Sequence, residues 1–201
     1  MGSTLEYDIM ASYCKGIGIN LCCQHTRIAD SIGVDADPNA RAATVVCDVR
    51  ALPFRTGSLD YVICHHGLEH IRDAPLYVIH EWFRVLKENG TLAILVPDGS
   101  YGISALNYAS FTGELTEYGH GHLFTLQTLS NMVSFAGGII RKAEIIGRES
   151  GNGSIIVAAE KSKCHTTNFQ PFSKPVEVFR MVQKNGLRHC IKRFLWRLRC
   201  G

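Results

Sequence analysis

The sequence lacks any apolar run that approaches the roughly 18 residues of a membrane-spanning helix. Its first residues also lack the basic segment and the apolar segment of a secretory signal peptide. Charged residues make up only 19% of the 201 residues and hydrophobic residues 46%, which is ordinary for a globular protein. This length allows one substantial domain with an appendage, and together these features predict a globular protein in the cytoplasm.

Cysteine is plentiful, but its spacing fits neither a disulfide framework nor a structural zinc site. No pair has zinc-knuckle spacing, and several thiols fall inside apolar runs such as 45–47 and 62–64. Such thiols are typical of a buried core in a reducing compartment. The eight cysteines are Cys14, Cys22, Cys23, Cys47, Cys64, Cys164, Cys190 and Cys200.

Positive charge is concentrated at the end of the chain. From residue 174 onward, eight Lys or Arg stand against the single Glu177, so this segment carries +7; because the whole chain carries +3, the rest carries −4. The pattern permits an interfacial membrane helix, an RNA-binding arm or a helix docked on the body, and docking is the default interpretation. Its apolar residues fall on one helical face: Leu187, Ile191, Phe194, Leu195 and Leu198.

These composition changes divide the chain into three parts. We expect a globular domain at 1–162, a linker at 163–174 and a basic amphipathic helical segment at 175–201. Peripheral contact with an anionic membrane or with nucleic acid would run through the last of these.

Apolar runs and helical patterns alternate through the first 160 residues. A helix is predicted from Glu69 to Lys87, with Asn89 and Gly90 as its C-terminal cap. Only about eight residues separate the first two strands, so either the helix between them is reduced to a turn or the strands end elsewhere than predicted. The order predicts a doubly wound α/β sheet. Strands are predicted at 17–22, 31–35, 44–48, 59–64 and 91–96, an irregular connection at 100–124, a second helix at 125–135, and an antiparallel pair at 139–147 and 154–160.

Two of these strands end in a carboxylate. Asp35 follows the second strand, where an acid of a doubly wound sheet grips ribose hydroxyls, because a carboxylate can accept two hydroxyl protons at once. This predicts a nucleoside-containing cofactor. The alternative is that Asp35 caps the turn at 37–39. Asp48 follows the third strand, and the alternative to a binding role is that it is an ordinary acid before a turn.

Six motifs, in this order and at these spacings, resemble the class I S-adenosylmethionine-dependent methyltransferases of the small type 11 group. The resemblance covers about residues 13 to 160. It implies a Rossmann-like, mostly parallel seven-stranded sheet with an antiparallel edge hairpin, and S-adenosylmethionine as the cofactor. The motifs are the segments 32–35, 47–54, 58–63, 68–71, 84–92 and 122–125.

The resemblance also implies roles for individual residues. Asp35 would hold the ribose, Asp48 would accept from the adenine amino group, and Val49 would lie against the ring. Cys64 and His65 would line the methyl-transfer cleft after the fourth strand. The cofactor methyl is already activated by its sulfonium, so the protein supplies positioning and, for a hydroxyl acceptor, a base.

The chain departs from the family at the first turn. Where the family has an acid and two glycines, this sequence has Asn20, Cys22 and Gln24. A side chain at those glycines either blocks space or requires an uncommon backbone conformation. We interpret Cys22 and the adjoining Cys23 as small buried residues, the alternative being redox or metal chemistry. The expected function is methyl transfer to a small-molecule or glycan-like acceptor, and the alternative is a non-catalytic scaffold with a degenerate cofactor loop.

Histidines are the remaining candidates for chemistry. On a continuous helix His66, Glu69 and His70 would share a face and could hold a cation. The preferred alternative places Glu69 in the first helical turn with the histidines lining the cleft, so no metal is assigned. His120 is a candidate general base alongside His65, with ordinary loop polarity as its alternative, and His122 is expected to start the following helix.

Overall fold

The computed structural model of the chain describes residues 4–100, 119–147 and 153–163. A seven-stranded sheet has the order β3-β2-β1-β4-β5-β7-β6. Neighbours from β3 to β5 are parallel, whereas β7 is antiparallel to both β5 and β6. The strands are β1 (Gly18–Leu21), β2 (Ile32–Asp35), β3 (Val45–Val46), β4 (Leu59–His65), β5 (Leu86–Pro97), β6 (Gly138–Ile146) and β7 (Ser154–Lys161). The predicted mostly parallel sheet with an antiparallel edge is confirmed.

Helices cover both faces of the sheet, so its central strands are buried on both sides. On one face α2 (Pro75–Val85) and α3 (Leu126–Phe135) pack through residues such as Trp82. On the other face α1 (Thr4–Ala11) packs Met10 against alternate strand residues such as Ile63. This arrangement is the doubly wound fold that the sequence predicted.

The connection between β1 and β2 contains no helix. Residues 22–31 form turns, and Cys23 and Thr26 close one of them through a backbone hydrogen bond of 2.8 Å. The expected reduction of this crossover to a turn is confirmed, and the irregular segment lies at the carboxyl end of the sheet.

The predicted helix from Glu69 to Lys87 was wrong at both ends. Leu68–His70 forms a short 3₁₀ turn, and α2 begins only at Pro75, because proline fits the first turn of a helix and disfavours helical backbone before it. The helix ends at Val85 and the chain enters β5 directly. Asn89 and Gly90 therefore lie within β5 rather than forming a cap, and Asn89 has a φ of 59° there.

The last helix begins close to its predicted start. The Thr125 hydroxyl accepts a hydrogen bond from the Thr128 backbone N–H, and the Thr128 side chain accepts from the Thr125 N–H, forming a capping box before α3. His122 lies three residues ahead of this cap and does not start the helix.

Other predicted segments are not fully covered by the structure. Residues 101–118 of the expected connection, most of the 163–174 linker and the basic 175–201 segment lie outside the described residues. Among the residues that are described, no helix has the length and hydropathy needed to cross a membrane.

Candidate functional site

The candidate site lies where the carboxyl ends of β1, β2 and β4 meet. Leu21 pairs with Val34 on one side and with Cys64 on the other, which brings the residues after these strands together. Crevices at this edge of a parallel sheet are where doubly wound folds bind ligands. Of the predicted cofactor residues, Asn20, Cys22, Gln24, Asp35 and Cys64 all lie here.

The turn after β1 keeps the backbone of a glycine turn without its glycines. Cys22 has a φ of 53° and Gln24 a φ of 42°, both in the left-handed region. These are the two positions at which the glycines were expected. A left-handed residue with a side chain costs roughly 1–2 kcal/mol, so surrounding contacts must hold this conformation.

Hydrogen bonds on both sides of the turn supply those contacts. The Gln24 backbone N–H donates to Asp35 Oδ2 at 2.8 Å, and the Cys23 N–H donates to the Val34 carbonyl at 3.3 Å. The buried Asn20 amide donates to the Thr26 carbonyl at 3.2 Å. Asn20 therefore fastens the turn from inside, where the family has an acid.

The Cys22 side chain packs against Gly67 and against Cys64 of β4. A Cβ built on Gly67 would lie 2.6 Å from Cys22 Cβ and 2.9 Å from Cys64 Sγ, so only glycine fits at 67. The hydrogen bond to the Cys22 thiol, and then burial, raise the pKa of Cys64 well above its usual value. Burial likewise raises the pKa of Cys23 to about 11. Cys23 is buried, as expected of a small buried residue, whereas Cys22 is only partly buried.

Asp35 is buried and accepts one backbone hydrogen bond on each oxygen. Oδ2 accepts from Gln24, and Oδ1 accepts from the Asp37 N–H at 2.9 Å. The turn-capping alternative is therefore part of its role. An ionised carboxylate has about four lone pairs, so each Asp35 oxygen retains capacity for one further donor.

Asp48 follows β3 and is engaged by Arg50. The Arg50 N–H and Nε both donate to Asp48 Oδ1 at 2.9 Å, and the same guanidinium contacts Asp73. Burial alone would raise the pKa of Asp48, but the hydrogen bonds from Arg50 outweigh it and lower the pKa. Asp48 is thus ionised at neutral pH, with part of its acceptor capacity already in use.

Helix α2 fixes the segment that carries Asp48 and Val49. The Trp82 indole N–H donates to the Val49 carbonyl at 3.0 Å, and Glu81 accepts from the Leu52 N–H at 2.7 Å. The Val49 side chain is buried in the core on this face. These hydrogen bonds therefore hold the loop at 47–54 in position beside the strand ends.

His65 ends β4 and is approached by the first helix. The Tyr7 ring stacks on it with centroids 4.8 Å apart, and Glu6 Oε2 lies 3.8 Å from His65 Nε2. Ser154 donates to Glu6 Oε1 at 2.6 Å, which orients the carboxylate. Sequence analysis missed Glu6, because nothing in a short covering helix signals that one of its acids reaches a strand end far along the chain.

His66 lies between two carboxylates and has a φ of 49°. Its Nε2 is 3.6 Å from Glu6 Oε1, and its Nδ1 is 3.3 Å from Glu69 Oε1. Burial alone would lower the pKa of His66, but hydrogen bonds with Glu6 and Glu69 outweigh it and raise the pKa to about 9. His66 therefore bridges the two acids as an imidazolium at neutral pH.

The histidines do not group as the helical spacing suggested. Because 68–70 is a 3₁₀ turn, His66 faces Glu6 and Glu69, whereas His70 and His120 approach each other with ring centroids 4.8 Å apart. His122 Nε2 lies 2.9 Å from the Asp73 carbonyl oxygen and anchors the segment before α3.

A family profile described as a methyltransferase domain, of the type 11 group, matches residues 10–94. Residues 10–94 of this chain are therefore similar to the type 11 methyltransferase domains. Over 90 residues it is 30% identical to ajmaline N-methyltransferase of Rauvolfia serpentina, and the match spans 45% of this chain but 29% of that relative. The chain thus spans less than a third of the length of that curated relative.

Solved methyltransferase structures share the fold of this domain. A methyltransferase of Bacillus halodurans, described as putative, superposes with a TM-score of 0.64 at 14% identity, covering 80% of this chain and 100% of that one. Phosphoethanolamine N-methyltransferase 2 of Haemonchus contortus, solved with S-adenosyl-L-methionine, gives 0.61 at 16% identity, covering 81% of this chain and 53% of that one.

Proposed function

We propose that this methyltransferase domain binds S-adenosylmethionine at the carboxyl ends of β1 to β4 and transfers its methyl group to a small-molecule acceptor. The observation that carries the proposal is the turn after β1. Cys22 and Gln24 adopt left-handed backbone although neither is glycine, and the turn is tied to Asp35. A strained conformation persists only where its surroundings over-determine it, and such conformations cluster at ligand sites.

In this proposal Asp35 holds the cofactor ribose. Its two oxygens are fixed in place by the N–H groups of Gln24 and Asp37, and the remaining lone pairs accept the ribose hydroxyls. The oriented carboxylate needs no rearrangement when the cofactor binds, so its hydrogen bonds are made with little loss of freedom.

Asp48 and Val49 receive the adenine. Asp48 stays ionised beside Arg50 and keeps acceptor capacity for the adenine amino group. The Trp82 and Glu81 contacts hold the segment at a fixed distance from Asp35. Arg50 is an added constraint, because it competes with the amino group for the Asp48 oxygens.

S-adenosylmethionine supplies a methyl group activated by its sulfonium, so the protein must align the acceptor and take up its proton. We assign the base to His65. It lies directly after Cys64 at the end of β4, Tyr7 holds its ring, and Glu6 can stabilise the imidazolium that forms. His120 was the other candidate base, but it lies with Glu69 and His70 rather than beside Glu6.

A small-molecule acceptor is favoured over a glycan-like one by the names of related proteins. Two of these proteins are named after ajmaline and phosphoethanolamine, which are small molecules. The amine chemistry in both names makes amines the first acceptors to test.

The experiment is a calorimetric titration of the full chain with S-adenosylhomocysteine. Asp35→Ala removes two charge-assisted hydrogen bonds of ~1.5–3 kcal/mol each, so we expect at least ~100-fold weaker binding. Asp37→Ala is the matched control, because Asp37 is exposed in the same turn and, among the described residues, its carboxylate accepts hydrogen bonds from Asn39 alone. Melting curves confirm that each variant is folded.

Two results would contradict parts of this proposal. No detectable binding by the wild-type chain would favour the non-catalytic scaffold. Wild-type binding that survives Asp35→Ala would place the cofactor elsewhere.

The base is tested separately, after a panel of amines and hydroxyl compounds has identified a methyl acceptor. His65→Gln should then lower turnover while S-adenosylhomocysteine still binds, because His65 acts on the acceptor.

A further inference from the structure

A second group of polar side chains is not used by the proposed methyl transfer. It consists of Glu69 and His70 from the 3₁₀ turn and His120 from the segment before α3. The backbone brings them together: the N–H groups of Gly121 and His122 both donate to the Glu69 carbonyl, at 2.7 and 3.2 Å. These backbone hydrogen bonds fix the segment that carries His120 against the 3₁₀ turn.

The donor atoms of these three residues are within reach of one ion. One ligand atom from each lies within 4.8 Å of the others, and His70 Nε2 is 4.0 Å from Glu69 Oε1. Ligand atoms in a tetrahedral zinc site lie about 3.3 Å apart, which follows from Zn–N distances near ~2.1 Å. Zinc binding therefore requires these side chains to move closer together, and His70, which is 44% exposed, is the least confined of the three.

Glu69 gives an independent indication of a ligand. The residue is only 1% exposed, and among the described residues its Oε2 atom has no hydrogen-bond partner. Buried charges are normally paired or bound to a metal. Its other oxygen, Oε1, is 3.3 Å from His66 Nδ1, and a ligating carboxylate is commonly held in this way by a neighbour outside the coordination sphere.

The neighbouring cluster of Glu6, His65 and His66 is a weaker candidate. Glu6 Oε1 already accepts from Ser154 and faces His66, and Glu6 Oε2 faces His65. Its carboxylate oxygens are thus both engaged by the polypeptide, whereas the Glu69 Oε2 atom is not.

We propose that Glu69, His70 and His120 form a Zn²⁺ site with one open coordination position. Two imidazoles and one carboxylate are a zinc donor set that leaves such a position, whereas Mg²⁺ prefers oxygen ligands. The half-exposed His70 side of the cluster gives the ion a route from solvent. The proposal does not depend on methyl transfer, because it rests on these side chains alone.

The test uses the full chain without an affinity tag, freed of metal by a chelator and titrated with ZnCl₂. We expect one Zn²⁺ per chain, and a melting temperature that rises by about 5–10 °C at zinc concentrations 100-fold above Kd. His70→Ala should abolish this rise without unfolding the protein, since the His70 side chain is 44% exposed. Glu69→Gln, which keeps the shape of the side chain, should also abolish it.

His25→Ala is the matched control, because His25 is an exposed histidine in the connection after β1 and lies outside the cluster. It should bind zinc as the wild type does. A wild-type melting curve indifferent to zinc would overturn the proposal, and so would zinc binding that survives both His70→Ala and Glu69→Gln. MgCl₂ should have no effect at equal concentration, and a magnesium response that exceeds the zinc response would also overturn it.

Discussion

Gln24 offers the sharpest test of the strained turn after β1. Its side chain is exposed and its φ is 42°, so replacing it with glycine removes strain without removing packing. Its backbone N–H, which donates to Asp35, is kept in Gln24→Gly. The variant therefore tests the conformational cost of a non-glycine residue at position 24 while the hydrogen bonds of the turn are kept.

The expected gain follows from two opposing terms. A left-handed residue with a side chain costs ~1–2 kcal/mol, and the added freedom of glycine in the unfolded chain offsets ~0.4–1 kcal/mol of that. Gln24→Gly should therefore raise the free energy of unfolding by about 0.5–1 kcal/mol. For a protein of this size, that is a rise of roughly 1–4 °C in melting temperature.

Urea denaturation of the full chain measures this gain, and two exposed residues of the same connection provide controls. Ala29 has a φ of 50°, so Ala29→Gly should stabilise by a similar amount. Thr26 does not have left-handed backbone, so Thr26→Gly should destabilise by ~0.4–1 kcal/mol. The strain argument is refuted if Gln24→Gly destabilises the protein as much as Thr26→Gly does.

Two further predictions concern the segment that carries Asp48 and Val49. Trp82→Phe leaves the Val49 carbonyl without its indole donor, so the free energy of unfolding should fall by ~1–3 kcal/mol, in addition to a loss from packing. Urea denaturation measures this change. A decrease below ~0.5 kcal/mol would contradict the role of Trp82 in holding the segment in place. Arg50→Ala should destabilise the protein at pH 7. Because Arg50 depresses the folded-state pKa of Asp48, this difference should be complete above the unfolded pKa near ~3.9 and be lost as pH falls through the lower folded-state pKa. A difference that does not shrink on acidification would show another cause.

The predicted start of α2 was wrong because the signal from Pro75 was not used. The apolar stripe of α2 was recognised, but its start was placed at Glu69, six residues before Pro75. Proline favours the first helical position, so Pro75 itself carried the signal for the start. The end was misplaced because Asn89 and Gly90 resemble a cap, whereas the β4–β5 pairing takes the chain into a strand at Leu86.

The sequence by itself determined the sheet and the carboxylates at its edge. Continuous apolar runs specify buried parallel strands locally, and the residue after each run must fall at the carboxyl edge, as Asp35 and Cys64 do. The motifs at 32–35 and 47–54 consist of the same local signals, which is why the fold and the resemblance to type 11 methyltransferases could both be predicted from the sequence.

Only the tertiary structure decided the backbone of the turn and the grouping of the histidines. The left-handed backbone at Gln24 is imposed by Asp35, a residue of another strand. Glu6 reaches His65, and His120 reaches Glu69, across segments that no short-range pattern connects. Spacing along the chain reports neighbours on one element, whereas these contacts arise from packing between elements, so sequence periodicity carries no information about them.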